Sequence, residues 1–185
     1  NLGIGASEVV LLNAAFGKEN GRDVVYATAN GGVFNVVDVK DNKLIFSQQL
    51  AKVSQVWSHT IASNGTVYIA ALGEGNVGEL WSYSPTTKIV EKLGTPNAGH
   101  QAWSSTTDDN GNAYIGTYAE GDGRIYKYDG ATKSFVDFGK IDADNASYIR
   151  SLEYHDGYLY AGLGVEGKVY RINVETMEKE EITKN

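Results

Sequence analysis

An Asx-Gly pair comes round four times in this chain, at Asn20-Gly21, Asn64-Gly65, Asn110-Gly111 and Asp156-Gly157, in steps of 44, 46 and 46 residues. Such a pair between apolar runs is the strongest short-range hairpin signal, because a two-residue type I′ turn needs positive φ at both central positions. Each pair leads into a similar strand: Val24-Val25-Tyr26-Ala27, Val67-Tyr68-Ile69-Ala70, Ala113-Tyr114-Ile115-Gly116 and Leu159-Tyr160-Ala161-Gly162. The recurring Tyr fixes the register of the four copies. A period of this size restricts the chain to a repeat architecture, in which each unit buries its apolar face against its neighbours. It constrains chemistry far less, because one fold carries many unrelated sites.

Reading outward from the turns gives a single segment over residues 1–185, divided into units near 8–52, 53–98, 99–144 and 145–185. Each unit reads as four strands. In the third unit these are Ala102 to Thr107, Asn112 to Tyr118, Gly123 to Tyr128 and Ser134 to Phe138. The third strand recurs with an aromatic column at Phe34, Trp81, Tyr126 and Tyr170, and alternates apolar with polar as a half-buried strand should. The turn ahead of the fourth strand also recurs, as Ser84-Pro85-Thr86-Thr87-Lys88, Asp129-Gly130-Ala131-Thr132-Lys133 and Val174-Glu175-Thr176-Met177. Twelve Tyr and 22 Gly against two Pro and one Met suit pleated strands joined by tight turns. The prediction is all-β, with strands at regular spacing and no helices between them.

The order of Asx-Gly turn, aromatic strand, Tyr-rich strand and Asp-x-x-Thr-like turn resembles the bacterial β-propeller repeats of the YVTN, NHL and quinoprotein-like groups. The resemblance covers essentially the whole chain and implies four four-stranded blades. The sequence lacks the Trp-Asp pairing of tryptophan-aspartate repeats, the double-Gly strand of kelch repeats and the Trp-docking motifs of quinoprotein dehydrogenases. No cofactor is expected. Propellers run from four to eight blades, and neither end of this chain shows a spare strand to close a ring of four. The expectation is therefore a half-ring: part of a seven- or eight-bladed protein, or a protomer whose homodimer completes eight blades and covers the exposed edges.

Composition narrows the function classes. A formal charge of −7 with no basic cluster argues against nucleic acid. No run approaches the roughly 18 apolar residues of a membrane helix. The absence of Cys removes disulfides and thiolate ligands, and three His leave little for a metal shell. With no initiator Met and no signal peptide, the chain reads as a mature or excised form. A Cys-free chain fits secretion and cytosol alike, and the expectation leans to outside the cell or its surface.

In a propeller, the loops entering the innermost strands share one face with those joining the second and third strands. The first set carries Trp57, His59, His100, Gln101, Trp103, Tyr148 and Arg150. Trp faces stack on the C–H face of sugars, while Gln, His and Arg bond hydroxyls or a carboxylate, so these seven are the candidate ligand-binding residues. The column Leu11, Trp57, Trp103, Ile149 is apolar in every unit, which is also what packing between blades requires. The second set is acidic and Gly-rich, with Glu74, Glu120, Asp122 and Glu166; these read as solvated charges, with cation or acid–base work as the sharper reading. Asp108, Asn110 and Asn112 alternate like the start of a calcium loop, but Ala113 stands where Gly is needed, so no metal is expected. The expected function is a non-catalytic module binding a carbohydrate or cell-surface partner. The alternative is a polysaccharide lyase or sugar lactonase using His59, His100 and Arg150.

Overall fold

The computed structural model describes residues 10–144, 146–165 and 167–183. Among these, the strands form four separate four-stranded antiparallel sheets, each built from consecutive strands in chain order. The first holds β1 (Leu11–Glu19), β2 (Arg22–Ala29), β3 (Val33–Asp38) and β4 (Lys43–Gln49). The second holds β5 (Gln55–Ile61), β6 (Val67–Leu72), β7 (Gly78–Ser84) and β8 (Ile89–Gly94). The third holds β9 (Gln101–Thr107), β10 (Ala113–Tyr118), β11 (Arg124–Asp129) and β12 (Ser134–Lys140). The fourth holds β13 (Ile149–His155), β14 (Tyr158–Leu163), β15 (Val169–Asn173) and β16 (Lys179–Glu181). The first strands β1, β5, β9 and β13 lie side by side, which makes the sheets propeller blades around an inner row of strands.

Strand alternation gives every blade two faces, one toward the preceding blade and one toward the following. The recurring Tyr marks the forward face: Tyr26, Tyr68 and Tyr114 lie 1%, 5% and 1% exposed against the next blade. The rear face of β6 presents Val67, Ile69 and Ala71, which close one core with Val24, Tyr26 and Phe34 of the first blade. A second core joins Tyr68, Ala70 and Leu80 to Ala113, Ile115 and Tyr128. A third joins Tyr114 and Ile125 to Leu152, Leu159 and Ala161. Each cluster links consecutive blades, and among the described residues none links the fourth to the first. The blades form an open arc.

Polar bridges reinforce these seams. Buried Glu19 accepts from Tyr83 Oη at 2.9 Å and pairs with Lys88, so the second blade is tied to the first. Asp142 pairs with Lys168 Nζ at 2.7 Å across the last seam.

Two sequence expectations need correction. The four Asx-Gly pairs do not all form two-residue turns. Asn20 and Gly21, and Asp156 and Gly157, have positive φ at both positions, but at the other two pairs only Gly65 and Gly111 do. There the loops are longer: Ala62 N donates to Thr66 O and Gly65 N to Ala62 O, with the same pattern at Asp108, Asn112 and Gly111. The aromatic column also breaks at Phe34. Trp81, Tyr126 and Tyr170 pair with Ile69, Ile115 and Ala161 on rear faces, whereas the residue paired with the equivalent Ala27 is Asn35. Phe34 lies on the opposite, forward face, where its ring meets Tyr83 at 5.1 Å.

Candidate functional site

The inner strands share an irregularity that composition does not reveal. In the β5–β6 pair, Val56 faces Ala71 and Ser58 faces Ala70, leaving Trp57 as an extra residue. In β9–β10, Ala102 faces Thr117 and Ser104 faces Gly116, leaving Trp103. In β13–β14, Ile149 faces Leu163 and Ser151 faces Gly162, leaving Arg150. The first blade has the same break between Leu11 and Ala14, which puts Leu12 in the position of Trp57. A bulge adds one residue to one strand and re-aims its side chain. Four bulges on adjacent inner strands therefore stack one re-aimed residue per blade, giving a ladder of Leu12, Trp57, Trp103 and Arg150. This corrects the expected column of Leu11, Trp57, Trp103 and Ile149. Ile149 is fully buried in the seam with the third blade, and its neighbour Arg150 takes the rung.

The rungs touch. The Trp57 and Trp103 rings stack with centroids 4.8 Å apart and planes 11° apart. The Arg150 guanidinium carbon lies 4.8 Å from the Trp103 ring and 5.3 Å from that of Trp57. Tyr148 packs 5.1 Å from Trp103 and stacks 4.6 Å from Tyr118, which itself lies 5.2 Å from Trp103. Trp103 Nε1 donates to Gln101 Oε1 at 3.0 Å, which holds the indole in place. Trp57 Nε1 is buried with no hydrogen-bond partner. A cleft of about 310 Å³ runs along this group, lined by Trp57, Trp103, Tyr148, Arg150, Gly164 and Val165. A larger hollow of about 580 Å³ lies at the first blade's outer turns, but its Arg22 is paired with Asp38 at 2.6 Å and with Asp41.

The structure thus brings Trp57, Gln101, Trp103, Tyr148 and Arg150 together and places His59 and His100 elsewhere. His59 is buried in the first seam, its Nε2 2.8 Å from Thr28 Oγ1 and its Nδ1 3.0 Å from Asn13 Oδ1. Burial pushes its pKa down to about 4, so the ring is neutral at pH 7. His100 is buried inside the third blade, with Nδ1 3.0 Å from Thr117 Oγ1 and the ring edge-on to Tyr126. Burial lowers its pKa, opposed by Asp122, whose carboxylate lies 3.5 Å from Nε2. Both imidazoles are thus bonded within the blades, where a polar group left unpaired would cost stability.

Gly164 and Val165 line the cleft and Tyr118 stacks on Tyr148 beside it; none of the three was among the sequence candidates. The signal for them was position: all three end second strands or open the loops that follow. Gly164 is required by packing, since a Cβ there would lie 2.8 Å from Tyr148 Cβ. Of the acidic loop residues, Glu74 pairs with Lys52 at 2.7 Å and Asp122 with Arg124 at 2.8 Å, while Glu120 is exposed. Glu166 lies outside the described residues. Asp108 is saturated by Asn110, Asn112 and Tyr114, which makes that segment a capped turn. Among the described residues, no group of three or more His, Asp or Glu could hold a metal ion, and no helix is long and apolar enough to cross a membrane.

No protein-family model and no curated protein matches the sequence. Solved structures match in fold. An auxiliary nutrient binding protein from Bacteroides thetaiotaomicron aligns with a TM-score of 0.67 at 13% identity, over 95% of this chain and 42% of that one. The Dos1 propeller aligns at 0.71 and 18%, over 95% of this chain and 48% of that one. The Cps50 (Swd1) β-propeller domain from Myceliophteria thermophila aligns at 0.65 and 13%, over 87% and 53%. Identities this low carry the fold alone: the chain has β-propeller architecture and spans about half the length of the structures it matches.

Proposed function

We propose that this chain is a non-catalytic binding module whose ladder face recognises a carbohydrate, displayed free or on a cell-surface partner. The observation that carries the reading is the stacked Trp57–Trp103 pair beside Arg150. Among the described residues Arg150 meets only aromatic rings and no carboxylate. Ring faces supply apolar area for the C–H face of a sugar, and a guanidinium without an acidic partner offers paired donors to a ligand carboxylate. The aromatic cleft is concave and carries few polar groups, as small-ligand sites do. The resemblance to bacterial YVTN, NHL and quinoprotein-like repeats supports a protein that works outside the cell or at its surface. The lyase or lactonase alternative needs a base beside Arg150, and its two candidates, His59 and His100, are buried and hydrogen-bonded within the blades.

Calorimetric titration with neutral and uronate-containing oligosaccharides tests the reading. Binding by the native protein should be lost in Trp103→Ala and weakened at least tenfold for uronates in Arg150→Ala. No binding across the panel, together with a surface pull-down that neither substitution alters, would sink it. The arc would be completed to a full ring by a homodimer or by further blades of a longer chain.

A further inference from the structure

We infer, on the carbohydrate reading of the same cleft, that Arg150 selects the charge of the sugar: its guanidinium covers part of the aromatic platform, the carboxylate of an acidic sugar draws it off, and a neutral sugar cannot. A group stacked beyond Trp103 as a further layer would lie nearly twice the 4.8 Å ring spacing from Trp57. The guanidinium carbon lies only 5.3 Å from the Trp57 ring and 4.8 Å from that of Trp103, so the side chain leans back across the pair and meets both indoles. These contacts occupy ring surface in the cleft that the two indoles, Tyr148, Gly164 and Val165 line with Arg150, the surface a sugar's C–H face would need.

The backbone on either side of Arg150 is held in place. Ile149 is fully buried and its carbonyl accepts from Ser104 Oγ at 2.8 Å. A Cβ on Gly116 would lie 2.5 Å from Ile149 Cγ2, and one on Gly162 would lie 2.3 Å from Ser151 Oγ, so neither neighbour of Arg150 has room to shift. Arg150 itself is exposed, and exposed side chains change rotamer freely. The strand stays put while the guanidinium swings. Lifting it from the rings forfeits cation–π attraction. A carboxylate offsets that loss with two parallel charge-assisted hydrogen bonds to the planar fork, whereas sugar hydroxyls do not match its charge or its geometry. Specificity is a difference of affinities, and one side chain here raises one and lowers the other.

Calorimetric titration with a panel of uronate oligosaccharides and their methyl esters tests this, because esterification removes the charge and keeps the ring. The native protein should bind each acid about tenfold more tightly than its ester, or more. In Arg150→Ala the acids should bind more weakly than to the native protein and the esters about two- to fivefold more tightly, which abolishes the preference. The variant's far-ultraviolet circular dichroism spectrum and thermal midpoint should match the native ones. Equal binding of acid and ester by the native protein, or ester binding by Arg150→Ala no tighter than native, would overturn the inference and leave carbohydrate recognition standing. Binding of neither form by either protein would overturn both.

Discussion

His59 sits where two blades meet and, among the described residues, has no charged side chain bonded to its ring: Asn13 and Thr28 bond its ring nitrogens and Phe34 stacks on it at 6.3 Å. Its pKa is about 4 in the folded chain against 6.5 when free, so the unfolded chain takes up the proton first as pH falls. The stability tied to the neutral ring is complete above about pH 6.5 and is lost on the way down to pH 4, a change of about 3 kcal/mol. Urea unfolding at pH 7 and pH 4.5 should show the native protein losing most of that amount, and His59→Gln losing clearly less. At this scale the sequence was partly legible. The residue types of the cleft were readable because the chain has only three Trp, and because Trp57, Trp103, Tyr148 and Arg150 fall at corresponding places in successive units. The burial of His59 and His100 was not, because a polar departure from a repeat marks a seam bridge as readily as a ligand contact.

Among the elements, the bulged inner strands decide what the ladder presents. The step between successive rungs lengthens by one residue per blade, from Leu12 to Trp57 to Trp103 to Arg150, so a constant period selects Ile149 in error. A bulge has no composition of its own at these positions, which is why register, and not sequence, revealed the fourth rung. The strands themselves were legible, because alternation and the Tyr column follow from a period of two and from burial between blades. Glycine substitutions separate the two demands that elements make. Gly78 N donates to His100 O at 2.7 Å, and a Cβ on Gly78 would lie 2.6 Å from Ala102 N. Gly78→Ala should therefore cost on the order of 1–3 kcal/mol through overpacking between backbones. Gly157 has open space around it but a φ of 82°. Gly157→Ala should cost about 1 kcal/mol through backbone strain, and Gly157→Asn less, since Asn adopts that conformation more readily. Denaturant midpoints of the three variants check both statements.

For the whole molecule, the open arc was legible from the count of four units, and the three seams bear out the count. The gathering of Trp57, Gln101, Trp103, Tyr148 and Arg150 on one face was legible too, because the loops entering neighbouring inner strands share a face; the ring stacking was not, because it depends on the bulges. Whether this ladder is a ligand platform is directly measurable, because the chain holds three Trp. Trp57 and Trp103 belong to the cleft, while Trp81 is buried elsewhere with its Nε1 donated to Glu79 at 2.9 Å, an internal reference. The measurement is a ¹⁵N–¹H correlation spectrum of the indole groups during titration with a uronate-containing oligosaccharide. Saturable shifts of the Trp57 and Trp103 signals are expected, with a stationary Trp81 signal and loss of the effect in Arg150→Ala. Stationary signals throughout, or equal movement of all three, would contradict the ligand reading.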